Sequence, residues 1–303
     1  MLDAAATTHI LRCCKVHELY LWAGFRLHTP GRNPDLAVGK THMVAQHRSA
    51  LPGVEAMTLL TDHAFPRHSH DGFGIGVMTA GAQRSWSGIG PVESTAGDVI
   101  TVNPGEMHDG TPISGARGWR MLHLDPALVA RKVAEAVGDA PEIARPALRD
   151  PVLRELFERL FARATAAVPE PLALEEDLLR ALVHLLRRHG ARPRPVRPIS
   201  PAVAAARRRL DEAPERPVTL AELAALSGVD RFALLRGFAR ETGATPHAYL
   251  VQRRVRLAQR LLAAGHAPAE VALQAGFADQ SHLTRAFRRQ FGITPARYRA
   301  AVA

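Results

Sequence analysis

Cysteine and long apolar runs are scarce in this 303-residue chain. The two cysteines, Cys13 and Cys14, are adjacent, so a disulfide framework and a cysteine zinc site are excluded. No run of 18 apolar residues is present, so no membrane-spanning helix is predicted. The short apolar stretch 19–25 follows Glu18 and lacks a small-residue cleavage site, so we expect a cytoplasmic protein.

Lysine is also rare, and the basic residues are unevenly distributed. Only Lys15, Lys40 and Lys132 are lysines, and the remaining 36 of the 39 basic side chains are arginines. Residues 1–191 carry 20 basic and 21 acidic side chains, whereas residues 192–303 carry 19 basic and 8 acidic ones. The excess behind the net charge of +10 therefore lies in the last third of the chain. It indicates either a polyanionic partner, such as nucleic acid or a membrane face, or a basic surface tail.

Changes in composition and periodicity divide the chain into four parts. Residues 1–42 show no clear period and are expected to be a poorly structured extension, with Met43 as one candidate for the native start. Residues 43–190 form a near-neutral domain, and residues 201–303 form the basic domain. Between them, the segment 191–200 is rich in proline and arginine, which favours an extended linker over a helix.

The near-neutral domain begins with β-structure and ends with helices. Short apolar runs separated by glycine, proline and aspartate predict a β-sandwich or barrel. These runs are Val54–Leu60, Gly74–Thr79, Asp98–Val102 and Trp119–Leu124. From Ala127 the apolar period becomes helical and ends in a leucine stripe that faces either its own barrel or a second subunit. The stripe consists of Leu174, Leu178, Leu182, Leu185 and Leu186, before a helix end at Gly190.

The basic domain contains two segments with the same helix-turn-helix pattern, at about 219–240 and 267–290. Each has a short helix, a glycine that permits a left-handed turn and an aspartate that can cap the next helix. The glycines and aspartates are Gly228, Gly276, Asp230 and Asp279. The second helix of each unit is expected to bury its apolar side chains and to leave its other face free for a major groove. The expected buried residues are Phe232, Leu234 or Leu235, Phe238, Leu283, Ala286 and Phe287.

Residues 276–299, supported by residues 238–249, resemble the signature of AraC-family transcriptional regulators. The resemblance covers about residues 200–300 and implies an all-α domain whose two helix-turn-helix units are joined by a long helix, here 248–263. It implies that this domain reads two successive major-groove segments of double-stranded DNA, so we expect the polyanionic partner to be duplex DNA and predict no membrane partner. It also implies a cupin-like sensor barrel, a homodimer and control of RNA polymerase recruitment. The predicted fold class is therefore α+β.

The resemblance also assigns DNA contacts to individual positions. The groove-facing residues would be Phe232, Leu235, Arg236, Gln280, Ser281, Thr284 and Arg285. Arg285 can pair with guanine and Gln280 with adenine, although Arg236 and Arg285 could instead contact phosphate or form structural salt bridges. Backbone phosphate contacts, which position the protein without reading sequence, are predicted for Arg288, Arg289, Arg297 and Arg299.

Three histidines mark a candidate ligand site in the barrel. The segments 65–70 and 97–108 look like the two cupin half-motifs, and they supply His68, His70 and His108. His68 and His70 are two residues apart on a strand and so share one face. A cupin metal site also needs a carboxylate four or five residues after the second histidine, where this chain has Gly74 and Ile75. We therefore predict no metal, no cofactor and no catalytic residue.

The favoured role of the three histidines is contact with a small organic effector, with metal binding or a purely structural role as alternatives. Trp86 is a further candidate for the effector site, and Arg84 and Glu106 are weaker ones. The leading prediction is a transcription factor regulated by a ligand in the barrel. The alternatives are a cupin-type metalloenzyme fused to a nucleic-acid-binding module, and a DNA-binding protein whose barrel only dimerises.

Overall fold

The β-structure of the chain forms two sheets that face one another across a cavity. The computed structural model describes residues 41–137, 142–191 and 199–302. The expected extension 1–42, apart from its last two residues, and the linker residues 192–198 lie outside this range. The strands are β1 His42–His47, β2 Val54–Thr61, β3 Phe65–His68, β4 Phe73–Ala80, β5 Ala82–Ser87, β6 Gly90–Thr95, β7 Val99–Val102, β8 His108–Pro112, β9 Arg117–Leu124, β10 Glu142–Ile143, β11 Ala147–Leu148 and β12 Gly190–Ala191.

The larger sheet has the order β1-β2-β9-β4-β7-β11, the smaller has the order β3-β8-β5-β6, and β10 pairs with β12. Side chains alternate across the larger sheet, because successive residues of a strand point to opposite faces. In β2, Val54 and Ala56 belong to the core shared with the helices, whereas Met57 and Leu59 line the cavity. This alternation gives each strand an inner and an outer face, and it confirms the predicted cupin-like β-domain.

Three helices cover the outer face of the larger sheet: α1 Pro126–Val137, α2 Pro151–Ala164 and α3 Pro171–His189. The whole leucine stripe of α3 is buried in the same core as the outer face of the sheet, so it packs against its own barrel. Helix α3 ends before Gly190, as expected. Gly190 itself has a φ of −71° and is the first residue of β12. Among the described residues, no helix is long and apolar enough to cross a bilayer.

The remaining helices form the predicted pair of helix-turn-helix units. They are α4 Pro201–Glu212, α5 Leu220–Ser227, α6 Arg231–Thr242, α7 Pro246–Ala263, α8 Pro268–Gln274, α9 Gln280–Phe291 and α10 Pro295–Val302. Gly228 and Gly276 have φ values of 66° and 80° in the two turns. The Asp230 carboxylate accepts from the Phe232 and Ala233 amides at 2.9 Å, and Asp279 accepts from the His282 amide at 2.7 Å. These turns and caps are confirmed.

One expected core residue of the first unit is instead on the surface. Phe232 is 69% exposed, whereas Leu234 and Phe238 fill the core at 1% and 0%. The prediction that Phe232 is buried is therefore wrong, because it lies in the first turn of α6, on the side away from Leu234. In the second unit, Leu283 and Phe287 are both fully buried, as expected.

The second helix-turn-helix unit shares a hydrophobic core with the β-domain. Val44 of β1, Leu59 of β2 and Phe65 of β3 are in one buried cluster with residues of α7 to α10, such as Leu283 and Phe287. The first unit has a separate core built around α4 to α7. The second unit is therefore the part of the basic domain that is packed directly onto the barrel.

Candidate effector cavity and nucleic-acid interface

The predicted base-reading residues lie on the outer faces of α6 and α9. Gln280, Ser281 and Arg285 are exposed and Thr284 is half-buried, on the side of α9 opposite Leu283. On α6, the corresponding residues Phe232 and Arg236 are exposed, and Leu235 is half-buried. These positions are open to an external partner, as the prediction requires.

The arginines predicted to contact DNA are free to do so. In the described part of the chain, Arg236 and Arg285 form no ion pair with an acidic side chain, so the salt-bridge alternative has no support. Arg288, Arg289 and Arg297 are exposed as well, and Arg299 is half-buried. Exposed arginines that have no acidic partner among the described residues attract a phosphate backbone.

The connecting helix α7 uses its arginines differently. Arg253 pairs with Asp211 at 2.9 Å, and Arg254 donates to the Pro214 carbonyl at 2.7 Å. Arg256 is 6% exposed, pairs with Asp71 and donates to the Ser69 hydroxyl at 2.7 Å. These cations hold protein elements together and contribute less to the surface that would face DNA.

The cavity between the two sheets has a volume of about 110 Å³. Arg117, Trp119, Met121 and His123 alternate along β9 and form one wall. At a rise of about 3.3 Å per residue, this wall runs about 20 Å from the arginine to the histidine. The cavity therefore has two chemically distinct ends joined by an apolar and aromatic middle.

A cluster of four histidines forms one end of the cavity. The ring centroid of His68 lies 4.4 Å from that of His108 and 4.9 Å from that of His70. The ring of His70 lies 5.1 Å from His108 and 4.6 Å from His123. The three predicted histidines are therefore brought together, and a fourth joins them.

Two of these rings are oriented by backbone carbonyls. The Nδ1 of His68 donates to the Pro66 carbonyl at 2.7 Å, and the Nδ1 of His108 donates to the Glu106 carbonyl at 3.1 Å. A carbonyl only accepts, so in a neutral ring the proton is on Nδ1 and Nε2 keeps its lone pair.

Burial keeps the cluster neutral. Desolvation, reinforced by the neighbouring imidazoles, lowers the pKa of His68 to about 3 and that of His123 to about 4. The pKa of His70 is lowered well below its ordinary value, and that of His108 is lowered too, in both cases chiefly by burial. The cluster is thus a set of uncharged nitrogen donors at neutral pH.

His123 was missed in the sequence analysis, and the sheet explains its place. It is directly opposite Gly74 in the β4–β9 pair. A Cβ at residue 74 would lie 3.3 Å from Val102 Cβ and 3.7 Å from His123 Cδ2. The histidine ring therefore borders the space where the cupin pattern has its carboxylate. Only the strand pairing, which the sequence does not show, brings the two positions together.

A buried guanidinium forms the other end of the cavity and was also missed. Arg117 is 0% exposed and donates to the Gln83 side chain at 3.0 Å. Its other bonds go to the carbonyls of Thr61, His63 and Gly110 at 2.9–3.4 Å. Burial lowers its pKa to about 10. Arg117 therefore ties β9 to the opposite sheet through neutral acceptors.

Trp86 and Arg84 do not face the cavity. Their β5 neighbours Gln83 and Ser85 line it, and alternation along the strand turns Trp86 outward, where the Arg67 guanidinium lies 3.9 Å from the centroid of its ring. Arg84 pairs with a glutamate on the surface. Neither side chain lines this cavity, and Trp86 instead borders a second cavity together with Glu106.

Glu106 does border the cavity. Its carboxylate accepts from the backbone amide and the side-chain amide of Asn103, both at 3.0 Å. It is therefore engaged within its own turn.

The histidine end of the cavity is next to the basic domain. Gln290 and Phe291, at the end of α9, line the cavity. The His42 ring bonds the Gly292 carbonyl at 2.6 Å, and Glu55 accepts from the Tyr298 hydroxyl at 2.9 Å. The helix predicted to read DNA is therefore in contact with the cavity predicted to hold the effector.

Comparison with known proteins matches both halves. The family model described as the AraC-like ligand binding domain matches residues 57–182, and a helix-turn-helix domain model matches residues 223–301. The HTH-type transcriptional regulator YbfI of Bacillus subtilis is 30% identical over 228 residues, which are 72% of this chain and 81% of that protein. An AraC-like transcription regulator of Streptomyces antibioticus is 37% identical over 39% of this chain and 41% of that protein. The chain belongs to the AraC family of transcriptional regulators.

Solved structures show the same two-part architecture. Apo ToxT from Vibrio cholerae is 12% identical and superimposes with a TM-score of 0.55, over 84% of this chain and 100% of that one. Fatty-acid-bound ToxT gives a TM-score of 0.53 at 12% identity, over 88% of this chain and 96% of that one. At this identity the likeness concerns the fold alone.

Proposed function

We propose that this chain is a sequence-specific DNA-binding transcription factor whose basic domain is controlled by a small effector in the barrel. The proposal rests on two exposed recognition helices, α6 and α9, in a basic domain, one of which also reaches the cavity. Its relatives are named as transcriptional regulators, so we propose regulation and no catalytic role.

The helix lengths support reading of two groove segments. The connector α7 has 18 residues and is about 27 Å long at 1.5 Å per residue. Successive major-groove segments on one face of B-DNA are about 34 Å apart. One recognition helix near each end of α7 can therefore enter each groove, with Phe232, Leu235 and Arg236 in one and residues 280–285 in the other.

The contacts between the halves give the effector a route to the DNA-binding residues. The segment 68–71 carries two cavity histidines and also bonds α7 through Ser69 and Asp71. Gln290 of α9 lines the cavity directly. An effector that binds one arrangement of these elements better than another shifts the population, and so changes operator affinity.

We also propose a homodimer that recruits RNA polymerase. The leucine stripe of α3 is used inside the subunit, but apolar side chains remain on the outer faces of α2 and α3. These are Val152, Leu172 and Leu179, exposed by 55%, 73% and 39%. A second copy that packs on this face would bury them, and sedimentation equilibrium measures the resulting stoichiometry.

The proposed function is tested by selecting sequences from a random duplex library with the full chain. We expect two preferred blocks whose centres are about 10 base pairs apart. An Arg285→Ala variant is expected to lose about 1–3 kcal/mol of binding free energy and to relax the preference at one base pair.

Arg297→Ala is the matched control, since Arg297 is an exposed cation of the same domain that we assign to phosphate. It is expected to weaken binding to all sequences alike and to reduce the salt dependence by about one ion. Equal, uniform losses in both variants would show that the sorting of base and phosphate contacts is incorrect. No sequence preference in the full chain would overturn the proposed function itself.

A further inference from the structure

We propose that the histidine end of the barrel is a binding site for one divalent late first-row transition-metal ion, held by His68, His70 and His108 with His123 as the fourth donor. This inference rests on the proposed function, because it makes the ion the species that the barrel senses. It also reverses the expectation drawn from the missing carboxylate.

The geometry of the three predicted histidines is the first support. One nitrogen from each of His68, His70 and His108 lies within 4.8 Å of the other two. Nitrogen ligands at 2.0–2.1 Å from a tetrahedral ion are about 3.3 Å from one another. The three donors are therefore at most about 1.5 Å farther apart than they would be around such an ion.

The orientation of the rings is the second support. The Nδ1 atoms of His68 and His108 donate to backbone carbonyls, which leaves each Nε2 as a donor toward the cavity. Histidines that bind metals are held in this way, with the second nitrogen donating to a carbonyl or carboxylate. Neutral imidazole, without thiolate or carboxylate, suits zinc, copper, nickel and cobalt better than calcium or magnesium.

His123 supplies the position that the sequence motif lacks. It is opposite Gly74 in the sheet, and its ring is 4.6 Å from that of His70. A Cβ at residue 74 would lie in van der Waals contact with this ring, 3.7 Å from its Cδ2 atom. An imidazole from β9 therefore lies beside His70, opposite the β4 position where the cupin pattern uses a carboxylate.

A second group of possible ligands, Asp150, His184 and His189, lacks these features. The Asp150 carboxylate already accepts from the Nε2 atoms of His184 and His189 at 2.9 and 2.7 Å. It also caps α2 through the Leu153 amide at 3.0 Å. The nitrogen donors of this group are used in hydrogen bonds, so it serves as the matched control for the cavity site.

The position of the ion would couple it to the basic domain. The positive charge of Arg256 adds to the effect of burial in lowering the pKa of His68, His70 and His108, and Gln290 borders the same cavity. A dipositive ion repels the Arg256 guanidinium and weakens its bonds to Asp71 and Ser69. Ion binding is therefore expected to loosen α7 from the barrel and to change operator affinity.

The binding test uses the untagged full chain, because a histidine tag binds the same ions. Equilibrium dialysis against Zn²⁺ is expected to give one ion per chain, and Co²⁺ is expected to give the visible absorption of a tetrahedral nitrogen site. His70→Ala should abolish both signals, and His123→Ala should weaken affinity by about 10-fold or more. His189→Ala should change neither, and circular dichroism checks that each variant is folded.

Three outcomes separate the claims. No stoichiometric ion in the wild type, or loss of it in His189→Ala with retention in His70→Ala, overturns the metal site. One bound ion with less than about a fivefold change in operator affinity overturns its role as the sensed species. Absence of sequence-specific DNA binding in the wild type defeats the proposed function, and the dialysis result still decides the metal site.

Discussion

At the scale of single residues, the barrel depends on one buried cation. Arg117 crosses the space between the sheets and bonds Gln83 and three backbone carbonyls, and no carboxylate among the described residues forms an ion pair with it. Removal of the guanidinium would take away a buried donor from each of these acceptors. A buried acceptor without a partner costs about 1–3 kcal/mol.

An Arg117→Met variant is therefore expected to lose about 3–5 kcal/mol of unfolding free energy. Arg84→Met is the control, because Arg84 is on the same β-domain but its ion pair with Glu93 is exposed. A surface pair of this kind contributes less than about 1 kcal/mol. Urea unfolding followed by circular dichroism measures both, and similar losses in the two variants would contradict the assigned role of Arg117.

The same scale shows what the sequence could predict of the site. The repeats around Gly228 and Gly276 and the short motif containing His68 and His70 are local, so spacing alone revealed them. Arg117 and His123 line the cavity only because β9 pairs with β4 and directs these two side chains toward the smaller sheet. Side chains of this kind are visible once the register is known. Trp86 shows the converse, since its outward direction follows from the alternation of β5.

At the scale of elements, the two helix-turn-helix units use the same turn in different surroundings. Gly228 and Gly276 both have a positive φ that disfavours a side chain. A Cβ on Gly228 would meet no atom within 4 Å, whereas one on Gly276 would lie 2.5 Å from the Glu215 carbonyl oxygen. Residue 276 is therefore restricted to glycine for two reasons, its positive φ and the close approach of the backbone at Glu215.

The pair allows the two effects to be separated. Gly228→Ala is expected to cost about 1–2 kcal/mol, the penalty of a left-handed alanine. Gly276→Ala is expected to cost about 3 kcal/mol or more, because the segment at Glu215 must also move. Thermal unfolding of the two variants measures the difference, and equal costs would show that the Glu215 contact relaxes freely.

The strands differ in how well the sequence pattern predicts them. The long helices and the strands with apolar cores, such as β2, β4 and β9, were predicted near their observed positions. Strands β5, β6 and β8 carry polar side chains on both faces, so their apolar period is weak. These segments are strands because they pair with one another in the smaller sheet, which the sequence does not show.

At the scale of the whole molecule, one face of the barrel and the second helix-turn-helix unit share a hydrophobic core. Val44, Leu59 and Phe65 of the barrel are in the core of that unit. The opposite face of the same sheet, which includes Val54, belongs to the separate core beneath α1 to α3. The two faces of the larger sheet therefore stabilise different parts of the protein.

A Val44→Ala change is expected to reduce hydrogen-exchange protection in residues 268–291, although Val44 itself is in β1. It removes about two buried methyl groups, or about 2 kcal/mol, from the shared core. Val54→Ala removes the same groups from the other core and should leave protection in residues 268–291 unchanged. Mass-spectrometric exchange under native conditions makes the comparison. Equal loss of protection in both variants would show that the described chain opens as a single unit.

The helix α9 has a consequence for how such a regulator can evolve. Its first residues, Gln280 and Ser281, are exposed and are predicted to contact DNA, whereas its last residues, Gln290 and Phe291, line the cavity. Twelve residues, or about 18 Å of helix, thus separate two surfaces that face different partners. Selection for a new effector and selection for a new operator act on a single rigid element. A lineage that changes one specificity must therefore keep the packing of Leu283 and Phe287, which holds that element in place for the other.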